Sequence, residues 1–220
     1  MSDCIYCIDN DILKKLATFQ LFEKTIQAFD VNHQDIRVLD TAKRTFRSKW
    51  ERFQKGRSRE PDVDRIIDYE KTLALAESLP SIKEVPDFVL FSELANTEDI
   101  DQGGAILTTY AIQSIENGAD ILQFTGDKRF IKALAQVNLP QVEILRHRIW
   151  CLEQLVLKNI EIYGFETIKE VIVPRRNCDK SIKSAFGSGL KSESKNTLWV
   201  LTESIRILKQ EANDLLAPYP

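Results

Sequence analysis

The sequence predicts an α/β protein: a three-layer α/β/α arrangement with a mainly parallel central sheet, plus a C-terminal helical extension. Two observations predict it. Short apolar runs that end in an acid recur: residues 4–8 before Asp9, 36–39 before Asp40, and 121–124 before Thr125-Gly126-Asp127. Each is followed by a segment of helical character, from Ile12 to Leu16, from Lys43 to Arg52 and from Arg129 to Gln136. Strands and helices alternating in this rhythm build a parallel sheet with helices on both faces.

In chain order, Cys4-Ile5-Tyr6-Cys7-Ile8 predicts a buried strand, and Asp9-Asn10-Asp11 turns it into a helix. Ile36-Arg37-Val38-Leu39 predicts a second strand. Lys55-Gly56-Arg57-Ser58-Arg59-Glu60-Pro61 reads as an exposed loop, because Pro61 bars a helix through it. A helix is expected from Asp62 to Ser78, with Ile66, Ile67, Leu73 and Leu75 on its apolar side. Phe88-Val89-Leu90-Phe91 is too short for periodicity to separate strand from helix. A clear helix runs from Ala105 to Ile115, and Gly118 suits its C-terminal cap. A fourth strand is expected within 142–149, then a helix from Leu152 to Tyr163. Residues 174–197, with Gly187, Gly189 and five serines, read as a mobile loop carrying six basic residues against two acids. A last amphipathic helix is expected from Leu198 to Leu216. The expected division is an α/β domain over 1–150 and an extension over 151–220, packed on the same domain.

The bulk properties narrow the function classes. With 220 residues the chain can bury a sizeable core as one domain. A formal charge of −3 gives no global attraction to nucleic acid, so any such binding needs a local basic surface. Apolar residues begin at Ile5 but Asp9 and Asp11 interrupt them, so no signal peptide is expected. No apolar run approaches the roughly 18 residues of a membrane span, and four cysteines are too few for a disulfide scaffold. The expectation is a cytoplasmic protein without a membrane partner. Cys4-x-x-Cys7 invites a zinc or redox reading, but in a strand residues three apart point to opposite faces, so both read as core. His33 and His147 sit in no ligand-spaced cluster.

The chemistry lies with the acids. In a parallel α/β sheet ligands bind beyond the carboxyl ends of the strands. Asp9 and Asp127 would meet at that edge if their strands are neighbours. Carboxylates held close repel unless a cation neutralises them. Mg²⁺ or Mn²⁺, hard cations that favour oxygen ligands, resolve the conflict and suit phosphodiester hydrolysis.

Three segments resemble the PIN-like nuclease family over roughly residues 4–150. Ile8-Asp9-Asn10-Asp11-Ile12-Leu13 resembles the PIN opening, a strand ending in aspartate before an aliphatic helix. Ile121-Leu122-Gln123-Phe124-Thr125-Gly126-Asp127-Lys128-Arg129-Phe130 resembles the late signature, an apolar strand running into T-x-D-x-x-F. Asp101-Gln102-Gly103-Gly104-Ala105 resembles a D-x-G-E-A helix opening, with Gly104 where that pattern has glutamate. The resemblance implies a metal-dependent endoribonuclease, of the toxin or RNA-processing kind, with RNA as substrate and an antitoxin-like protein as partner. It implies Asp9, Asp101 and Asp127 as metal-binding and catalytic residues. Glu98 or Asp99 could substitute at the Gly104 position, and Asp40, Asp68 and Glu70 are candidates for the middle-helix acid.

Two other readings stay open. Asp9-x-Asp11 after an N-terminal strand also matches the D-x-D opening of haloacid-dehalogenase-like phosphatases, with Asp9 as nucleophile and Asp11 as acid/base. Against it, the segment from Lys128 to Ala133 lacks the acid expected after Asp127. Alternatively, Gly104 and the unassigned middle acid suit a PIN-like binding or scaffold module without catalysis. Lys43, Arg44, Arg47, Lys128 and Arg129 are the candidates for holding RNA phosphates.

Overall fold

A computed structural model describes residues 4–58, 61–83 and 87–219. The chain opens with β1 (Cys4–Ile8), α1 (Asn10–Thr18), α2 (Phe22–Ala28), β2 (Ile36–Leu39) and α3 (Ala42–Gln54). The middle third holds α4 (Pro61–Asp64), α5 (Tyr69–Ser78), β3 (Ser81–Ile82), α6 (Phe88–Ala95) and α7 (Gln102–Glu116). There follow β4 (Asp120–Thr125), α8 (Lys128–Gln136), β5 (Ile149–Cys151), α9 (Leu152–Tyr163), α10 (Phe165–Ile172), α11 (Lys180–Ala185) and α12 (Ser194–Glu211).

The five strands form one parallel sheet in the order β3-β2-β1-β4-β5, with helices on its faces. Parallel strands covered on both sides must be apolar throughout, and Tyr6, Cys7 and Ile8 of β1 are all buried. The chain leaves β1 toward β2 and β3, then returns on the other side to β4 and β5. The reversal places the carboxyl ends of β1 and β4 side by side, in register from Cys4 opposite Asp120 to Ile8 opposite Phe124. This is the position at which open α/β sheets bind ligands.

The strand-ending acids act first as helix caps. Asp9 accepts a hydrogen bond from the Ile12 amide at 2.6 Å and starts α1. Asp127 accepts from the Arg129 and Phe130 amides and starts α8, and Asp101 accepts from the Gly104 amide at 2.7 Å and starts α7. A capping carboxylate satisfies amides that have no partner within the helix.

β4 presents alternating faces. Ile121, Gln123 and Thr125 share one side, and Leu122 and Phe124 the other. Phe124 packs edge-on to Tyr6 and, with Phe29, at ring separations of 5.6 and 5.1 Å. Phe29 in turn meets Trp150 of β5 at 4.7 Å. The α/β segment and the extension are joined in this core. The boundary at 150/151 falls inside β5, and Asn159 of α9 donates to Thr25 of α2 at 2.9 Å.

Several expected elements differ. The helix expected over 62–78 is two helices, α4 and α5, with Pro61 at the start of α4 and Asp68 capping α5. Arg59 and Glu60 of the expected loop lie outside the described residues. The apolar run from Phe88 opens helix α6, capped by Asp87. The first half of the 142–149 range expected to hold a strand is a 3-10 helix opened by Pro140 (Pro140–Leu145), and the strand begins only at Ile149. His147, in the left-handed region at φ 62°, makes the turn between them.

The segment 174–197 is not a mobile loop. It holds the 3-10 helix Val173–Cys178, α11, a second 3-10 turn Gly189–Lys191 and the start of α12. Ile182 and Phe186, one helical turn apart, are fully buried, and Asp179 caps α11. The last helix begins at Ser194 and ends at Glu211, so Leu215 and Leu216 lie beyond it.

Candidate functional site

A cleft of about 390 Å³ opens at the reversal point, between the ends of β1 and β4 and helices α1, α3, α7 and α8. Asp9, Asp101 and Asp127 all line it, each as the cap of a different helix. Asp9 is the most constrained. Its Oδ2 accepts from the Thr125 hydroxyl at 2.5 Å and the Gly126 amide at 3.2 Å, while Oδ1 is held by Ile12. Burial, and then the negative charge of Asp11, push its carboxyl up to about 6 despite these donors. The cap bonds of Asp101 and Asp127 fall on Oδ1, which leaves Oδ2 of each outside the cap.

Asp11 faces the opposite electrostatic situation. Burial works against its charge, but Lys14 at 2.9 Å and Lys15 in closer contact hold its carboxyl below the usual carboxylate range. Lys15 also meets Asp179 at 2.7 Å, joining α1 to α11 in a buried ion group. Asp11 and Lys14 line the cleft beside the acids.

The cleft shows why position 104 carries no acid. A Cβ on Gly104 would meet two ring carbons of Phe130 at 2.9 Å, and one on Gly103 would meet Leu39 at 2.9 Å. The first turn of α7 lies so close to Phe130 and Leu39 that side chains do not fit without displacing them. Helix α3 turns Thr45, Phe46 and Lys49 toward the cleft, beside Thr41 just before it, and contributes no carboxylate to the lining.

The alternatives for the missing acids lie elsewhere. Asp40 accepts from the Ser81 hydroxyl at 3.1 Å. Asp68 and Glu70 line a separate groove of about 520 Å³ with Trp50, Phe53, Arg65 and Arg175. Glu98 and Asp99 line another depression, in which Asp99 approaches Arg129 at 3.8 Å. Among the described residues, no group of three or more His, Cys, Asp or Glu side chains is gathered to hold a metal ion.

None of the expected phosphate-holding cations lines the cleft. Lys128 pairs with Glu153, a carboxylate buried at the start of α9. Arg47 pairs with Glu77 on the outer face of α3, where Lys43 and Arg44 are also exposed. Lys14 and Lys49 stand in the cleft instead. Lys14 was detectable from its place one turn after Asp11; Lys49 required knowing which face of α3 turns inward.

The thiols are structural. Cys7 is fully buried, and burial pushes its thiol up to about 12 and that of Cys4 up to about 11. All four cysteines are free. Among the described residues, no helix is long and apolar enough to cross a membrane. Comparison with protein-family models, with curated proteins and with solved structures returned no match to this chain.

Proposed function

We propose that the chain is a Mg²⁺- or Mn²⁺-dependent endoribonuclease. One observation carries the reading: three aspartates, each the cap of a different helix, line a single cleft at the point where the sheet reverses direction. The order of the three motifs, as in PIN domains, agrees with it.

The donor set fits a hard cation. The lining offers carboxylate oxygens, and Asp9 is raised to about 6 by burial and by Asp11, a strain that a bound cation relieves. Mg²⁺ keeps several of its waters and is held through one or two carboxylates, so a tight cage of acids is not required. Asp9 and Asp127 would hold the ion, with Asp101 assisting directly or through water. When bound, the ion supplies an activated water and neutralises charge on the phosphoryl oxygens. Thr125 and the Gly126 amide fix the Asp9 carboxylate, and Lys14 and Lys49 attract the phosphates.

A phosphatase is less well supported. Its acid/base would be Asp11, which two ammonium groups hold deprotonated, a poor state for donating a proton. A non-catalytic binding module has one observation in its favour, the absence of a carboxylate from α3 in the cleft lining.

The test is the melting temperature with and without Mn²⁺, for wild type and for Asp9→Asn with Asp127→Asn, beside cleavage of single-stranded RNA. A ligand bound only by the folded state must raise the melting temperature. The expected result is a rise in the wild type that the double substitution removes together with cleavage. No shift with Mn²⁺, and a double variant more stable than wild type, would mean that the acids repel without a metal and would leave the binding module.

A further inference from the structure

Gln123 lies on the floor of the cleft, on the same face of β4 as Thr125 and two residues before it. It is 1 % exposed, and neither its amide oxygen nor its amide nitrogen has a hydrogen-bond partner. Buried amides left unpaired on both atoms are costly, and native proteins rarely keep them without a use. Asn10 Oδ1, also buried and without a partner, lies at the carboxylate end of the same cleft.

The unmet atoms restrict the ligand. A cation would satisfy the oxygen alone, and a phosphate the nitrogen alone. A group that offers a donor and an acceptor side by side satisfies both at once, and exchanging the two amide atoms changes nothing in this reasoning. The edge of an unpaired nucleobase is such a group, and glutamine reads base edges in this two-bond manner. The same cleft carries apolar lining from Leu39, Leu107 and the aromatic rings of Phe46 and Phe130, against which a base can pack. Thr125 bonds Asp9, and two residues of strand separate it from Gln123 by about 6.5 Å. A base bonded to Gln123 therefore lies within one nucleotide's reach of the Asp9 carboxylate.

We propose that Gln123 forms a nucleobase subsite, which admits one unpaired base of a single-stranded RNA and selects it by a paired donor and acceptor. The choice of a base over another planar amide rests on the nuclease reading of the cleft. Gln123 touches substrate but takes no part in bond breaking.

The experiment is calorimetric titration of the full chain in EDTA with the four nucleoside 5′-monophosphates and with ribose 5-phosphate. Without metal the measurement reads base recognition alone. Wild type is expected to bind at least one nucleotide about tenfold more tightly than ribose 5-phosphate, within the roughly five- to hundredfold range of a two-bond base contact. Gln123→Met keeps the size and removes both bonds; it is expected to bind every nucleotide at the ribose 5-phosphate level, with a melting temperature no lower than wild type. Should that variant not fold, Gln123→Glu replaces a donor with an acceptor and is expected to change which base is preferred. Wild type binding ribose 5-phosphate as tightly as any nucleotide, or variants keeping the wild-type preference, would overturn the subsite. A base preference without a Mn²⁺ shift would keep the subsite and overturn the nuclease reading; a Mn²⁺ shift without a preference would do the reverse.

Discussion

Gly104 shows how one side chain's absence shapes the site. The PIN-like pattern has glutamate there, yet the Phe130 ring fills the space a Cβ would need. Phe130 is itself part of the late motif, so two features of one resemblance compete for the same volume. Gly104→Glu is expected to destabilise by about 1–3 kcal/mol, the usual cost of overpacking a well-filled contact. The helix gain from replacing glycine, less than about 1 kcal/mol, offsets part of this. The cause is checked by urea unfolding of Gly104→Glu, Phe130→Leu and the pair. The double variant should be more stable than the two single effects added together, by about 1 kcal/mol. Strict additivity would mean that the ring is not what excludes a side chain at 104.

Among elements, α11 starts on a cap whose charge is also paired across the fold. Asp179 caps it through the Ser181 and Ile182 amides and pairs with Lys15 from α1. Burial opposes the charge on Asp179, but Lys15 outweighs it and holds the carboxyl below the usual range. A carboxyl lowered on folding contributes stability above its unfolded value near about 3.9. That contribution disappears as pH falls through the lower folded value. Asp179→Asn keeps a capping oxygen but loses the charge, and Lys15 retains only Asp11. The variant is expected to be less stable by about 1–3 kcal/mol at pH 7, with the gap narrowing as both proteins are taken below about pH 4. A gap of equal size at pH 7 and at pH 2.5 would show that the ion pair contributes nothing. This element was hidden in the sequence by composition: glycines and five serines masked Ile182 and Phe186, whose spacing was the helical signal. β3, at two residues, is too short for any periodicity, whereas β1 and β4 were legible as apolar runs closed by acids. Asp9 and Asp127 were legible as cleft residues for the same reason, whereas Asp101 was singled out only by the resemblance of residues 101–105 to a helix opening. Gln123 was in plain view within its strand; only burial without a partner distinguishes it from an ordinary polar residue.

At the scale of the molecule, the sheet ends at β5, and an open strand edge is a template for pairing with another chain. Residues 214–217 cover it. Leu215 accepts from the Ile149 amide at 3.0 Å, and the Ala217 amide donates back to Ile149 at 2.8 Å, so that Leu216 bridges to Ile149 as a short parallel strand. Gln154 of α9 fastens the segment by donating to the Ala217 carbonyl at 2.9 Å, and Tyr219 packs on Trp150 at 5.2 Å. Leu215, Leu216 and Ala217 are buried in the core that α9 shares with β5. Ending the chain after Glu211 therefore removes four buried side chains, Ala212 among them, and uncovers the edge at once. The truncated protein is expected to lose the roughly 2–5 kcal/mol typical of emptying even one buried leucine site, and to self-associate as its concentration rises. Leu216→Ala separates the two effects, since it empties the core site but leaves the covering backbone in place; it should be destabilised without any gain in self-association. Unfolding curves with light scattering across concentration read both. A truncated chain that self-associates no more than wild type would show that these residues fill the core without guarding the edge, and one as stable as wild type would remove both roles.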